Sequence, residues 1–173
     1  MPQIILDFQT PLAAWRRLPR LHARLRKAAQ ATAAALPLAP RFSACVTILL
    51  AGDAKVRQLN HDFRGINKTT NVLSFPQFSA TEIRKMTKQN KAVEIGDIAL
   101  ALQYVVAEAK KENKLLLDHV THLVIHGLLH LLGYDHSGAR EAKRMEKKEI
   151  EILAALGLAN PYIAVTKKRN SIK

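Results

Sequence analysis

Apolar residues fall along the chain either in short continuous runs or at helical spacing, and each change of pattern marks a new element. IILDF (4–8) is short, apolar and rich in β-branched residues, the composition of a strand. Between Arg16 and Leu36, Leu18, Leu21 and Leu25 recur three and four residues apart. That spacing predicts an amphipathic helix with Arg17, Arg20, Arg24 and Lys27 around it. Pro37 and Pro40 end it. SACVTILL (43–50) is continuously apolar, which predicts a second strand buried on both faces. Asp53 stands where it would N-cap a short helix, AKVRQLNHDF, that brings the chain to Arg64 and Gly65. NVLSF (71–75) reads as a third strand stopped by Pro76. Residues 77–93 carry Arg84, Lys85, Lys88 and Lys91 with little periodicity and predict a basic loop. IGDIALA (95–101) reads as a fourth strand, whose Asp97 needs a partner if buried.

From Leu102 onward the spacing is helical. One helix is expected to run to about Asn113, one over 116–132 and one over 139–156, with Gly157 as the stop. Four strands with the helices gathered mainly after them predict an α+β fold: a four-stranded sheet packed with about five helices. No repeat or low-complexity linker divides the chain. We therefore expect one domain over 1–166 and a basic tail over 167–173.

Composition changes this picture in one respect. Lys and Arg number 27 against 14 Asp and Glu, a net charge of +13. An excess of that size favours polyanionic partners, nucleic acid above all. A single cysteine, Cys45, cannot form an internal disulfide, so a reducing compartment and a cytoplasmic location are expected. Cys45 itself reads as a small buried hydrophobe. No apolar run approaches the roughly 18 residues that span a bilayer, so no membrane is expected. The acid-free stretch RRLPRLHARLRKAAQATAAALPLAP mimics a targeting sequence. It follows a strand-like segment and has only a short apolar run bounded by prolines, so it is read as mature structure.

The chemistry concentrates in HGLLHLLGYDH (126–136). His126 and His130, four apart, share one face of a helix about 6 Å apart along its axis. That spacing lets two imidazoles reach one ion at the roughly 2.0–2.1 Å expected for zinc. Gly133 can end the helix in a left-handed conformation, so that His136 returns from outside it. Three nitrogens arriving from two directions leave a fourth position for water, the pattern of a catalytic zinc at the C-terminal end of a central helix. Nickel or cobalt would accept the same three imidazoles. His119 and His122 lie upstream on nearly the same face and are read as outer or surface residues. The ligand spacing is that of metzincin proteases, whose general base is a glutamate directly after the first histidine. Here that position is Gly127, which cannot take a proton and reads instead as a site of close helix packing. Peptide hydrolysis by that route is excluded.

HGLLHLLGYDH resembles the signature of the YbeY family of bacterial rRNA-maturation endoribonucleases. LNHDFRGINKTTNVLSFP (59–76) and VEIGDIALA (93–101) are similar to two further family segments, in the same order. The resemblance implies a zinc-dependent, single-strand-selective endoribonuclease acting in maturation of the 16S rRNA 3′ end and in ribosome quality control. Ribosomal RNA and the small ribosomal subunit would be its partners. It makes His126, His130 and His136 the metal ligands and Arg64 the family's functionally important arginine. A planar guanidinium suits that role, because it can meet the charge developing on a phosphoryl group with two hydrogen bonds. The Arg/Ala-rich N-terminal helix and basic 77–93 depart from the family pattern. Asp135 is either an outer acceptor that orients a ligand imidazole or a cap of the turn. Asn71 and Ser74, on the strand after Arg64, would line an RNA groove, and Asp97 reads as structural. The alternative function is an RNA-binding ribosome-assembly factor with a mainly structural metal. A metallohydrolase of another substrate fits the charge less well.

Overall fold

The computed structural model of the protein describes residues 1–163. The tail expected at 167–173, and the end of the domain expected at 166, lie outside the described residues. Four strands, β1 (Gln3–Gln9), β2 (Ser43–Ala51), β3 (Val72–Pro76) and β4 (Ala92–Ala101), form one sheet in the order β1-β2-β4-β3. β1, β2 and β4 run parallel, and β3 pairs antiparallel with β4 as the edge strand. Among the described residues six α-helices accompany it: α1 (Leu21–Ala35), α2 (Asp53–Arg64), α3 (Ala80–Met86), α4 (Leu102–Lys111), α5 (Leu116–Leu131) and α6 (Ala139–Ala155). The α+β expectation is met. No described helix is long and apolar enough to cross a membrane.

Side chains at alternate strand positions sort into two layers. Ile4, Leu6, Val46, Ile48, Leu50, Ile98 and Leu100 face α1 and α5 and are almost wholly buried. Each such aliphatic side chain contributes about 1.5–3 kcal/mol through burial. On the other face α2 lays Val56 over Leu73, Ala99 and Ala101, a much smaller cluster. Because α2 covers only that end of the sheet, Cys45, Thr47 and Leu49 of β2 are half-buried rather than buried on both sides. Ile5 of β1 is exposed on the open remainder. A bulge between Cys45 and Val46 lets β4 pass an extra residue. Gly96 closes it with φ of 137°, so near Phe75 that a Cβ would lie 2.2 Å from that residue's carbonyl oxygen.

Three local expectations are corrected. The first helix begins at Leu21 rather than Arg16, because Pro19 cannot continue a helix and Arg20 takes a left-handed φ of 60°. A separate short 3-10 turn, Ala13–Arg17, precedes it, and Trp15 anchors that turn by donating Nε1–H to the Ala51 carbonyl at 2.8 Å. Asp53 is the first helical residue and Gly52 is the cap. The Asp53 carboxylate instead accepts the backbone N–H of Tyr104 at 3.0 Å, in the first turn of α4. Residues 77–93 are not a plain loop, for they contain α3. Its start is a capping box in which Ser79 Oγ accepts the Glu82 N–H at 3.3 Å and Glu82 accepts the Ser79 N–H at 2.9 Å.

Candidate metal centre

α5 is apolar on nearly every side because it lies between the sheet and the other helices. Gly127 is what lets it approach β3 and β4. A Cβ at that position would come within 2.8 Å of Ile98 Cδ1 and 3.0 Å of Ser74 Oγ. The close-packing reading of Gly127 therefore holds, and a glutamate there would point into the sheet rather than toward His126 and His130.

The end of α5 is a Schellman turn. Gly133, at φ 84°, donates its N–H to the His130 carbonyl, and Tyr134 donates to the Leu129 carbonyl, both at 3.0 Å. This reversal returns His136 to the face carrying His126 and His130. α3 braces the turn: Ile83 packs beneath Gly133, and Arg84 Nη2 donates to the Gly133 carbonyl at 3.3 Å. Each of the three histidines offers one ring nitrogen, and these nitrogens lie within 4.8 Å of one another. The Nε2 atoms of His126 and His130 are 3.1 Å apart.

The opposite nitrogens are fixed. His126 Nδ1 lies 2.7 Å from Glu149 Oε1, and His130 Nδ1 lies 3.1 Å from the Tyr134 carbonyl. Both partners accept hydrogen bonds, so both protons sit on Nδ1 and both Nε2 lone pairs face the same point. That is the arrangement by which outer partners orient metal-ligating histidines. The donor set thus fits a nitrogen-preferring cation such as zinc. Burial, then the nearby His126 and His136, pull the His130 pKa down to about 4, so it is neutral at physiological pH.

Glu149, on α6, is fully buried and accepts from His122 Nε2 at 2.8 Å, from His126 and from the Tyr162 hydroxyl. Burial opposes its ionisation, but these bonds outweigh that cost and hold its pKa down to about 2. The same burial and the adjacent carboxylate raise the Tyr162 pKa. Glu149 is not among the site residues that the sequence predicts. A signal existed, however. Residues 145, 149, 152 and 153 share the buried face of α6, so Glu149 is an acid on an apolar stripe. His122 is therefore an outer partner of the site, sharing a carboxylate with His126. His119, buried, is paired with Glu108 at 2.7 Å.

Arg64, at the last turn of α2, donates Nη2–H to the Ser74 carbonyl on β3 at 3.2 Å. It lines the same groove, about 620 Å³, as Asn71, Ser74, Asp135 and the three histidines. Residues far apart in sequence thus converge on one cleft. Asn71 donates to Glu108 at 2.9 Å and accepts the Val72 N–H at 2.7 Å, which ties up its amide locally. Asp135 accepts the His136 N–H at 2.7 Å and the Ser137 hydroxyl at 2.6 Å, contacts that cap the turn. Those bonds lower its pKa. Asp97 lies on the opposite sheet face beside Thr47 and Phe75, half-buried.

Fold and site define an α+β protein that gathers three imidazoles from one helix and its terminal turn beside an edge strand on which Arg64 of α2 is anchored. Comparison with known proteins makes this specific. Residues 15–157 match the family model described as endoribonuclease YbeY. A protein named endoribonuclease YbeY from Sphingopyxis alaskensis is 43% identical over 145 residues, 79% of this chain and 86% of that one. A second of that name, from Paramagnetospirillum magneticum, is 41% identical over 161 residues, 92% and 95% of the two chains. The chain belongs to the YbeY family.

Proposed function

We propose that the protein is a zinc-dependent endoribonuclease that cleaves single-stranded RNA, with the 3′ end of 16S rRNA in the small ribosomal subunit as its substrate and the cytoplasm as its location. One observation carries this reading: the oriented imidazoles of His126 and His130, with His136, open into the same groove as the Arg64 guanidinium. The family name of its relatives supplies the reaction class. His126, His130 and His136 would hold the ion, which when bound supplies Lewis acidity toward a phosphoryl oxygen.

The chain's own residues supply the rest. Glu149 and the Tyr134 carbonyl hold two imidazoles in the tautomer that presents Nε2. Arg64, anchored through one nitrogen on the Ser74 carbonyl, retains further N–H groups for a phosphate. Its role is to bind the scissile phosphate and stabilise the charge that develops on it. Asn71 and Ser74 form the groove wall, and Asp135 shapes the turn that delivers His136. The +13 charge supplies long-range attraction for RNA.

The test uses metal-stripped protein and protein reloaded with zinc, each given a labelled single-stranded RNA and its duplex. Zinc should restore cleavage of the single strand only. If stripped protein cleaves equally fast, the reading is wrong. If stripping unfolds the chain and reloaded protein leaves RNA intact, the structural-metal alternative is favoured instead.

A further inference from the structure

Arg64, Ser74 and Pro76 line two grooves at once. One is the histidine groove on the α5 side of the sheet. The other, about 590 Å³, lies on the opposite face between the end of α2 and the open part of the sheet. The two meet across β3, the edge strand. The second groove is floored by Thr47, Leu49 and Phe75, half-buried where α2 leaves the sheet partly covered, with Ala99 at the edge of the covered cluster. At its rim stands Phe63, the residue before Arg64, with 70% of its surface exposed. Phe63 meets Phe75 edge to face, at 5.2 Å between centroids and 62° between planes, so the contact fixes the ring without stacking over it.

We infer that this second groove is an RNA subsite in which an unpaired base flanking the scissile phosphate stacks on Phe63. The inference rests on the endoribonuclease reading of the histidine groove. Three features carry it. Phe63 meets Phe75 in a T-shaped pair yet keeps most of its surface exposed, open to a stacking ligand. Arg64, adjacent in sequence, faces both grooves, so a phosphate held there leaves its neighbouring nucleotide directed toward Phe63. The path from one groove to the other crosses the edge of a sheet, which a flexible single strand can follow and a stiff duplex cannot. Stacking on aromatic residues is sequence-tolerant, because every base has a π-face. The floor, apolar with a half-buried Asp97 carboxylate, suits a base rather than a second phosphate.

The experiment measures kcat and KM of the zinc-loaded protein on a labelled single-stranded RNA and its duplex, for wild type, Phe63→Ala, Phe63→Leu and Phe63→Trp. Phe63→Ala and Phe63→Leu should raise KM for the single strand roughly 5- to 160-fold, the range that loss of one stacked base gives. Phe63→Trp should keep KM near wild type, and zinc content should be the same in all four. Unchanged KM in Phe63→Ala, beside a wild type that cleaves RNA, overturns the subsite and leaves the ribonuclease reading standing. A Phe63→Leu that behaves as wild type also overturns it, since an apolar contact such as a protein partner then suffices. A wild type that does not cleave RNA removes both.

Discussion

Glu149 Oε1 lies 2.7 Å from His126 Nδ1, joining a buried carboxylate on α6 to the first residue of the three-histidine cluster at the end of α5. The same carboxylate takes bonds from His122 and Tyr162, so it has acceptor sites matched to three donors. Removing its charge should therefore be felt at the metal. Glu149→Gln presents an amide N–H to at least one group that already donates, and it should weaken zinc affinity about 10- to 100-fold. A competition titration against a chromophoric chelator measures this directly. Affinity equal to wild type would show that the contact does not orient His126.

Gly127 stands where a metzincin carries its catalytic glutamate, but its Cα faces Ile98 and Ser74 across a gap too small for a side chain. Gly127→Glu should therefore destabilise the fold by about 3 kcal/mol or more, through overpacking and a buried charge. It should gain no peptidase activity. Urea unfolding gives the first quantity and a fluorogenic peptide the second. A stable, peptide-cleaving variant would refute the packing role assigned to this glycine.

Acid should loosen the metal-free protein in two stages. The folded chain holds His130 at a pKa of about 4 against an ordinary 6.5, so between these values the unfolded chain binds more protons. The stability this provides is complete above pH 6.5 and is lost as pH falls toward 4. Glu149, held near 2 against 4.5, adds stability that is present above pH 4.5 and is lost as pH falls toward 2. Urea midpoints of the stripped protein should accordingly fall from pH 6.5 downward. In His130→Gln the fall between pH 6.5 and 4.5 should be smaller; an identical fall would mean other groups carry it.

The strands and the histidine cluster were legible in sequence because each is written in local spacing. Short apolar, β-branched-rich runs bounded by turn formers mark the sheet, and i, i+4 histidines with a stop glycine mark the bend that returns His136. Three features are not written in the local apolar pattern. Glu149 lies 23 residues beyond His126 and looks like one more charge in a basic helix until its position on the buried face is counted. α3 was hidden by its basic residues, although Ser79 and Glu82 already spelled its capping box. The open sheet face was unreadable from β2 alone, since continuous apolar character does not say how far a covering helix extends.

Ser79→Ala removes one half of that capping box and should cost about 1 kcal/mol, read as a lowered urea midpoint. Because α3 braces Gly133 through Ile83 and Arg84, the same variant should also weaken zinc binding modestly. An unchanged midpoint would show that the box contributes nothing to holding the turn.

The central claim is that three imidazoles hold the ion while Arg64 serves the phosphate. It is tested most directly by measuring zinc content and single-strand RNA cleavage together in wild type, His130→Ala and Arg64→Ala. His130→Ala should lose both. Arg64→Ala should retain wild-type zinc and fold while its cleavage rate falls by about 10²- to 10³-fold, the effect of removing one charge-stabilising group. An Arg64→Ala protein that cleaves at the wild-type rate, or a zinc-free His130→Ala that still cleaves, would contradict the account.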